Sequence, residues 1–295
     1  MARNAAHRHP RIPLPGLLAA VVVLLVAWTS HAHAGAWSQK AGGMYNRLAV
    51  NYAVITEQFD ASGNRVSSAN NGEFTEWNVT YYGERGVTDR LTLVGSLPLK
   101  FLQEQADTPS GTRTLRNTSL GDLDLGARYR LLAEPAVVSV SVLGKFPYLY
   151  DENRASAIGP TPGNGQFDAE TRLLVGRSLY PFGYGGIEVG YRYRTEEPSD
   201  EYRYLVEYGG RFTPALYART KLDGIKSVKN ADRVTAPSMG GNPTLSPEFD
   251  IGKLEMTLGY APPGGWSSEF TYTGVLYGKN TGAGNMFQIA AVYSF

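Results

Sequence analysis

Residues 121–132 read GDLDLGARYRLL, and the alternation along this stretch decides the fold. One set of alternate positions is apolar or aromatic: Leu123, Leu125, Ala127, Tyr129 and Leu131. The other set is small or charged: Asp122, Asp124, Gly126, Arg128 and Arg130. Successive side chains of a β-strand point to opposite faces. The stretch therefore predicts a strand with one apolar face and one charged face.

The first 34 residues follow the order of a secretory signal peptide. A basic region comes first, with Arg3, Arg8 and Arg11. The apolar run 17–28 follows, and it is shorter than the ~20 residues that a membrane-spanning helix needs. Ala32 and Ala34 then form an A-x-A cleavage site. We expect residues 1–34 to be removed and 35–295 to form the mature domain; an uncleaved N-terminal anchor is the alternative.

The expected mature chain contains neither cysteine nor histidine, because all four histidines lie within the first 34 residues. This composition excludes disulfides, Ser-His and Cys-His nucleophiles, and metal sites built on His or Cys. Cleavage removes three arginines and no acidic residue, which lowers the formal net charge from +1 to −2. Such a balance gives no general attraction to nucleic acid. We expect a protein that is not an enzyme and that has no metal, no cofactor and no nucleic-acid partner.

Alternation of period 2 recurs along the rest of the chain and predicts twelve strands. Their ranges are 44–59, 74–83, 90–101, 122–132, 136–147, 167–178, 186–195, 202–212, 215–225, 249–261, 266–277 and 286–295. Short connections alternate with long ones, as in transmembrane barrels with short periplasmic turns and longer extracellular loops. We expect an all-β, up-and-down, antiparallel transmembrane barrel of about twelve strands with both termini in the periplasm.

Alternation alone is shared with a soluble β-sandwich, so other features must separate the two folds. The final run MFQIAAVYSF alternates and ends on an aromatic residue, Phe295, which is typical of the assembly signal of outer-membrane barrels. Many tyrosines also lie on the apolar faces near strand ends, where amphipathic rings form interfacial girdles. We therefore expect the bacterial outer membrane, with membrane lipid as one partner and the barrel assembly machinery, through Phe295, as another.

The same register places a large set of polar side chains inside the barrel. The members are Arg47, Asn51, Glu76, Asn78, Asp124, Arg128, Arg130, Lys145, Glu170, Arg172, Glu188, Arg192, Arg194, Glu207, Arg211, Arg219, Lys221, Asp223, Lys253, Glu255 and Glu269. They can act as cross-strand ion pairs that fill the lumen, or as a lining that selects solutes by charge. Twelve strands indicate a narrow passage, and we expect the loops 102–121 and 225–248 to gate it.

Three stretches resemble a known family. They are YYGERGVTDRLTLVGSLP (81–98), TSLGDLDLGARYRLL (118–132) and GNGQFDAETRLLVG (163–176). Together with the barrel pattern, they make about half of the expected mature chain similar to the outer-membrane "meta-pathway of phenol degradation" family. The resemblance implies a membrane barrel and uptake of small, often aromatic or apolar, compounds. Its motifs are strand and turn patterns, and they assign no substrate-contacting residue.

Three functions compete at this point. The leading hypothesis is an outer-membrane channel or transporter for passive passage of small molecules, with aromatic or apolar compounds as the implied solutes. The second is an enzyme embedded in the barrel, but its acidic candidates Asp122 and Asp124 share their face with Arg128 and Arg130, which favours ion pairing over acid–base chemistry. The third is a structural or surface-interaction barrel without transport.

Overall fold

Antiparallel strands form nearly all of the regular structure. The computed structural model describes residues 35–151, 159–231 and 246–295, so the expected signal peptide lies outside the described residues. The strands are β1 Met44–Ile55, β2 Glu57–Phe59, β3 Arg65–Ser67, β4 Glu73–Gly86, β5 Leu91–Thr108, β6 Gly111–Leu120, β7 Leu123–Leu132, β8 Val137–Phe146, β9 Asp168–Ser178, β10 Tyr184–Arg194, β11 Glu201–Arg211, β12 Leu216–Ser227, β13 Asp250–Tyr260, β14 Trp266–Lys279, β15 Thr281–Gly282 and β16 Asn285–Ser294. Over the described ranges, no helix has the length and apolar character to cross a membrane.

The large sheet closes on itself through β1, which pairs with β16 on one side and with β4 on the other. Neighbours in the chain are neighbours around the ring, and every pairing is antiparallel. Strands β6 and β7 both pair with β5, so together they form one wall strand that is interrupted at Gly121 and Asp122. The wall therefore has the twelve strand positions that the sequence predicts, and its closure rules out an open two-sheet sandwich.

One predicted loop is wrong. The segment 102–121 is almost entirely strand, because β5 continues to Thr108 and turns back into β6. Apolar and polar residues alternate only weakly along this segment. The β5–β6 hairpin extends beyond the part of the wall in which β7 pairs with β8. A strand outside the apolar layer does not need one apolar face. The other predicted loop, 225–248, begins within β12, and much of it lies outside the described residues.

The two ends of the barrel differ in the length of their connections. Residues 87–90, 133–136, 179–183, 212–215 and 261–265 make short turns at the end where Met44 and Phe295 lie. We call this end periplasmic, following the usual asymmetry of such barrels. The opposite, extracellular end carries the longest connections, 147–167 and 228–249, together with the two-residue turn 109–110 and a small sheet of β15, β2 and β3.

Candidate functional site

Strand β7 has its apolar face on the outside of the barrel. Leu125 and Leu131 are each 48 % exposed, whereas Arg128 is 6 % exposed and points into the lumen. Large apolar side chains are exposed in the same way on the other wall strands, including Leu48, Ile187, Met256 and Ile289. An exterior band of this kind fits lipid rather than water.

Aromatic pairs lie on this exterior near both ends of the wall. At the periplasmic end, the ring centroids of Trp266 and Tyr293 are 4.8 Å apart. Nearer the extracellular end, the ring centroids of Tyr52 and Trp77 are 4.5 Å apart. Rings with a polar edge favour the boundary between headgroups and acyl chains. The two sets therefore mark the borders of the apolar band.

Eighteen of the nineteen charged residues expected to line the lumen are buried or half-buried. The buried members are Arg128, Lys145, Glu170, Arg194, Glu207 and Glu269, and the half-buried members are Arg47, Glu76, Asp124, Arg130, Arg172, Glu188, Arg192, Arg219, Lys221, Asp223, Lys253 and Glu255. Arg211 differs because it is exposed and donates to the carbonyl oxygen of Pro214 in a periplasmic turn. Their role in selecting a solute stays a prediction.

A network of ion pairs fills one side of the lumen, along β9 to β11. Glu170 accepts from Arg172 and, at 2.7 Å, from Nε of Arg192, while Nε of Arg203 lies 3.6 Å away. Arg172 also donates to Oε2 of Glu188 at 3.0 Å. Each carboxylate and guanidinium is thus held by partners on neighbouring strands, which orients the side chains and neutralises their charges.

The network continues toward the extracellular end through Asp168 and Glu201. Lys145 lies 3.1 Å from Oδ2 of Asp168, and Arg194 donates to Oε1 of Glu201 at 3.0 Å. A second group occupies the opposite wall, where Glu269 binds Arg47 at 3.0 Å. Further pairs lie between these two groups, on β11 to β14: Arg219–Glu269, Lys221–Glu207, Lys221–Glu255 and Lys253–Asp223.

A cavity of 350 Å³ remains between β4 and β5 on one side and the ion-pair network on the other, because Arg192 and Lys145 of that network also line it. Its lining consists of Glu76, Asn78, Thr80, Ser96, Pro98, Lys100, Asp122, Asp124, Lys145 and Arg192. Hydroxyl and amide groups are combined there with charges of both signs and with one apolar ring, that of Pro98. Such a surface can hydrogen-bond a small solute with either a donor or an acceptor.

A chain segment at 159–166 covers this cavity from the extracellular side. Lys100 donates to the carbonyl oxygen of Pro162 at 2.7 Å, and Lys145 donates to Oδ1 of Asn164 at 2.6 Å. Both lysines also line the cavity, so the cover rests directly on it. This segment, rather than 102–121, folds into the lumen. Its Gly-Pro composition carries no periodicity from which the sequence could have predicted its position.

A second segment enters from the periplasmic side, at residues 35–43, which we call the N-terminal segment. The carbonyl oxygen of Ala36 accepts from Ser139 at 2.6 Å, and that of Trp37 accepts from Arg128 at 2.6 Å. The amide of Gln39 donates to Oγ1 of Thr92 at 2.8 Å. The sequence assigned no role to this segment. Its nearest signal was the bulky Trp37, three residues after the predicted cleavage site.

The geometry has a counterpart among solved structures. A crystal structure of an outer-membrane channel from Pseudomonas putida F1 superposes with a TM-score of 0.68 at 13 % identity, covering 90 % of this chain and all of that one. The chain has the fold of an outer-membrane channel. The translocator domain of the autotransporter NalP from Neisseria meningitidis gives a TM-score of 0.49 at 13 % identity, covering 95 % and 94 % of the two chains.

A third similar structure is the toluene transporter TbuX of Ralstonia pickettii, with a TM-score of 0.47, 8 % identity and coverage of 87 % and 90 %. No protein-family profile matches the chain, and no curated protein sequence matches it. The comparisons therefore show a similarity of fold and not of sequence.

Proposed function

We propose that this protein is a passive outer-membrane channel for small solutes that combine polar groups with limited apolar surface. The carrying observation is the division of the lumen. Ion pairs fill the side formed by β9 to β11, and the 350 Å³ cavity remains between this network, at Arg192, and the strands β4 and β5. A barrel that served only as a structural element would gain nothing from an unfilled cavity, because filled interiors are more stable.

The cavity supports a more specific class of solute. Hydroxyls of Thr80 and Ser96 lie in the lining together with the ring of Pro98. A phenolic compound carries a ring that packs against such an apolar surface and a hydroxyl that bonds to such groups. The resemblance of residues 81–98 and 118–132 to the phenol meta-pathway family implies small aromatic or apolar compounds, which supports the aromatic ring but not the hydroxyl group. We therefore propose small hydroxylated aromatic compounds as the preferred solutes.

Liposome swelling and single-channel recording test the proposal. We expect the mature protein to increase the entry of arabinose over protein-free liposomes. Ser96→Trp should reduce the swelling rate several-fold because an indole fills the cavity. Thr171→Trp is the matched control, since Thr171 lies exposed on the outer face of β9. Rates equal to those of protein-free liposomes would favour the structural barrel.

The solute class is tested by blocking the conductance. We expect 4-hydroxybenzoate to block at lower concentration than benzoate, because the two anions differ only in the hydroxyl group. Ser96→Ala and Thr80→Val should reduce this difference. Equal block by both anions in the unmodified protein would refute the hydroxyl-specific solute class while leaving the channel itself intact.

A further inference from the structure

The first described residue of the chain lies against a carboxylate inside the lumen. A Cβ atom built on Gly35 would collide with Oε1 of Glu188 and would lie 3.3 Å from Cδ2 of Leu174. Glu188 belongs to β10 and Leu174 to β9, whereas the N-terminal segment reaches Thr92 on β5, which lies three wall positions from β9. The N-terminal segment therefore runs inside the periplasmic part of the lumen, along the inner faces of the consecutive wall strands from β10 to β5.

The two oxygens of Glu188 have different surroundings. Oε2 accepts from Nη1 of Arg172 at 3.0 Å, but Arg172 is shared with Glu170. Oε1 faces Gly35. A carboxylate that is 87 % screened from water at its side chain favours a second cationic donor, because a buried charge is costly unless it is paired.

Removal of residues 1–34 supplies that donor. Cleavage after Ala34 turns the amide nitrogen of Gly35 into an α-ammonium with three N–H donors. We propose that the α-ammonium of Gly35 binds Glu188, and that this ion pair seats the N-terminal segment as a plug in the periplasmic half of the barrel. The plug closes the proposed channel, so this part of the inference rests on the proposed function.

The rest of the segment is shaped for the same position. Ala36 is buried with Val137 and Leu174, and Trp37 packs against them. A Cβ on Gly176 would collide with the Trp37 ring, and Tyr184 meets that ring edge-on with 6.1 Å between the centroids. Because position 176 is a glycine, the indole can lie flat on the wall. The site therefore combines an apolar slot for Trp37 with an anionic terminus site at Glu188.

Only a processed chain can complete this site. In an unprocessed chain the nitrogen of Gly35 is an uncharged amide with one donor, and it forms no ion pair. Seating of the plug is thereby linked to export, since cleavage accompanies translocation across the inner membrane. Premature closure before processing would be avoided.

The reactivity of the terminal amine tests the ion pair without any measurement of transport. The folded mature protein is treated with an acylating reagent at pH 7, and the N-terminal peptide is quantified by mass spectrometry. We expect acylation of Gly35 to be about tenfold slower than in Glu188→Gln, a ratio that corresponds to about 1.4 kcal/mol of pairing. Glu57→Gln, which alters an exposed pair with Arg65 at the extracellular end, should react like the unmodified protein.

Equal acylation rates in the unmodified protein and in folded Glu188→Gln would overturn the ion pair. The heat-modifiable fraction of each variant confirms that it is folded. Unfolding the unmodified protein in detergent should raise its rate to that of Glu188→Gln, which gives a second comparison without a mutation. A peptide that begins at a residue other than Gly35 would also overturn the site.

Single-channel recording tests the plug separately. We expect both Glu188→Gln and Trp37→Ala to increase the open probability several-fold, because each removes one anchor of the segment. If the amine is protected but both variants gate like the unmodified protein, the plug is wrong and the terminus site stands. If no variant conducts, including one that lacks residues 35–39, the channel proposal fails independently of the amine result.

Discussion

The guanidinium of Arg128 joins β7 to Glu84 on β4, with 2.6 Å between Nη2 and Oε1. The same group donates through Nη1 to the carbonyl oxygen of Trp37 at 2.6 Å. Glu84 in turn accepts from the side chains of Gln39 and Tyr82. One arginine thus connects the two wall strands β7 and β4 to the N-terminal segment inside the lumen.

Removing Arg128 alone should therefore lower the free energy of unfolding more than removing Arg128 and Glu84 together. Arg128→Leu leaves the Glu84 carboxylate in a confined site, for which breaking a buried pair costs about 3–5 kcal/mol. We expect the double variant Arg128→Leu/Glu84→Leu to recover part of that loss. Urea titration gives the four unfolding free energies that the comparison needs: those of the unmodified protein, Arg128→Leu, Glu84→Leu and the double variant. A double variant as unstable as the sum of the single variants would show that the two groups do not interact.

Leu125→Arg should destabilise the barrel more than Arg130→Leu. A charge on the lipid face near mid-depth costs about 2–4 kcal/mol, and Leu125 is on the exterior. Arg130, half-buried on the other face of the strand, is expected to affect ion selectivity instead of the lipid-facing surface. Refolding into bilayers with urea titration and conductance separates the two effects. Greater destabilisation by Arg130→Leu would contradict the membrane orientation of this strand.

Gly176→Ala should displace the indole of Trp37. The added methyl group would occupy the position of the ring atoms Cζ3 and Cη2, because it would collide with the first and lie 2.6 Å from the second. We expect acrylamide to quench Trp37 more efficiently in this variant, measured after Trp77 and Trp266 are replaced by Phe. Gly185→Ala is the matched control, since its methyl group would meet only ordinary contacts, the first at 3.5 Å. Unchanged quenching in Gly176→Ala would show that Trp37 does not occupy this slot.

Deletion of Phe295 should impair insertion more than synthesis. The backbone of Phe295 closes the barrel through two hydrogen bonds with Met44, at 2.9 and 3.1 Å. Its ring is 64 % exposed beside Tyr293, and the predicted role of this ring is recognition by the barrel assembly machinery. Phe295→Ala keeps the backbone bonds and removes only the ring. We expect the heat-modifiable fraction to fall in both variants; a loss confined to the deletion would assign the effect to barrel closure and not to recognition of the ring.

The extracellular turn at Asp200 should lose its protection against hydrogen exchange at acidic pH. Burial raises the pKa of the Asp200 carboxyl, but donors from the Arg194 amide, the Tyr191 hydroxyl and the Asn230 side chain outweigh it and hold the pKa below its ordinary value. A lowered folded-state pKa stabilises the turn above the ordinary value, and that stability is lost as the pH falls through the folded-state pKa. Hydrogen exchange of the Arg194 amide should therefore accelerate, after correction for intrinsic rates, below about pH 4.

Asp200→Asn is the control for this effect. It should show faster corrected exchange of the Arg194 amide already at pH 7, and it should remove the acid dependence. An acid dependence that persists in Asp200→Asn would assign the titration to another carboxyl group.

The alternation of residues was sufficient to predict the wall. A period of 2 in stretches such as 121–132 and 286–295 fixes which side chains share a face, because it depends only on local backbone geometry. The length of β5 was underestimated because the prediction relied on this alternation alone: it ended the strand at residue 101, whereas β5 continues to Thr108. Beyond residue 101 the strand leaves the apolar layer, and its pattern no longer reports a lipid face.

Closure of the sheet and the contents of the lumen were decided by tertiary structure. A sandwich and a barrel can share one pattern, and only the pairing of β1 with β16 separates them. The partners of Glu170 come from three strands, so they depend on how far each strand is staggered against the next. The segments 35–43 and 159–166 have no periodicity, and their positions follow from the shape and charge of a cavity that exists only after twelve strands have closed around it.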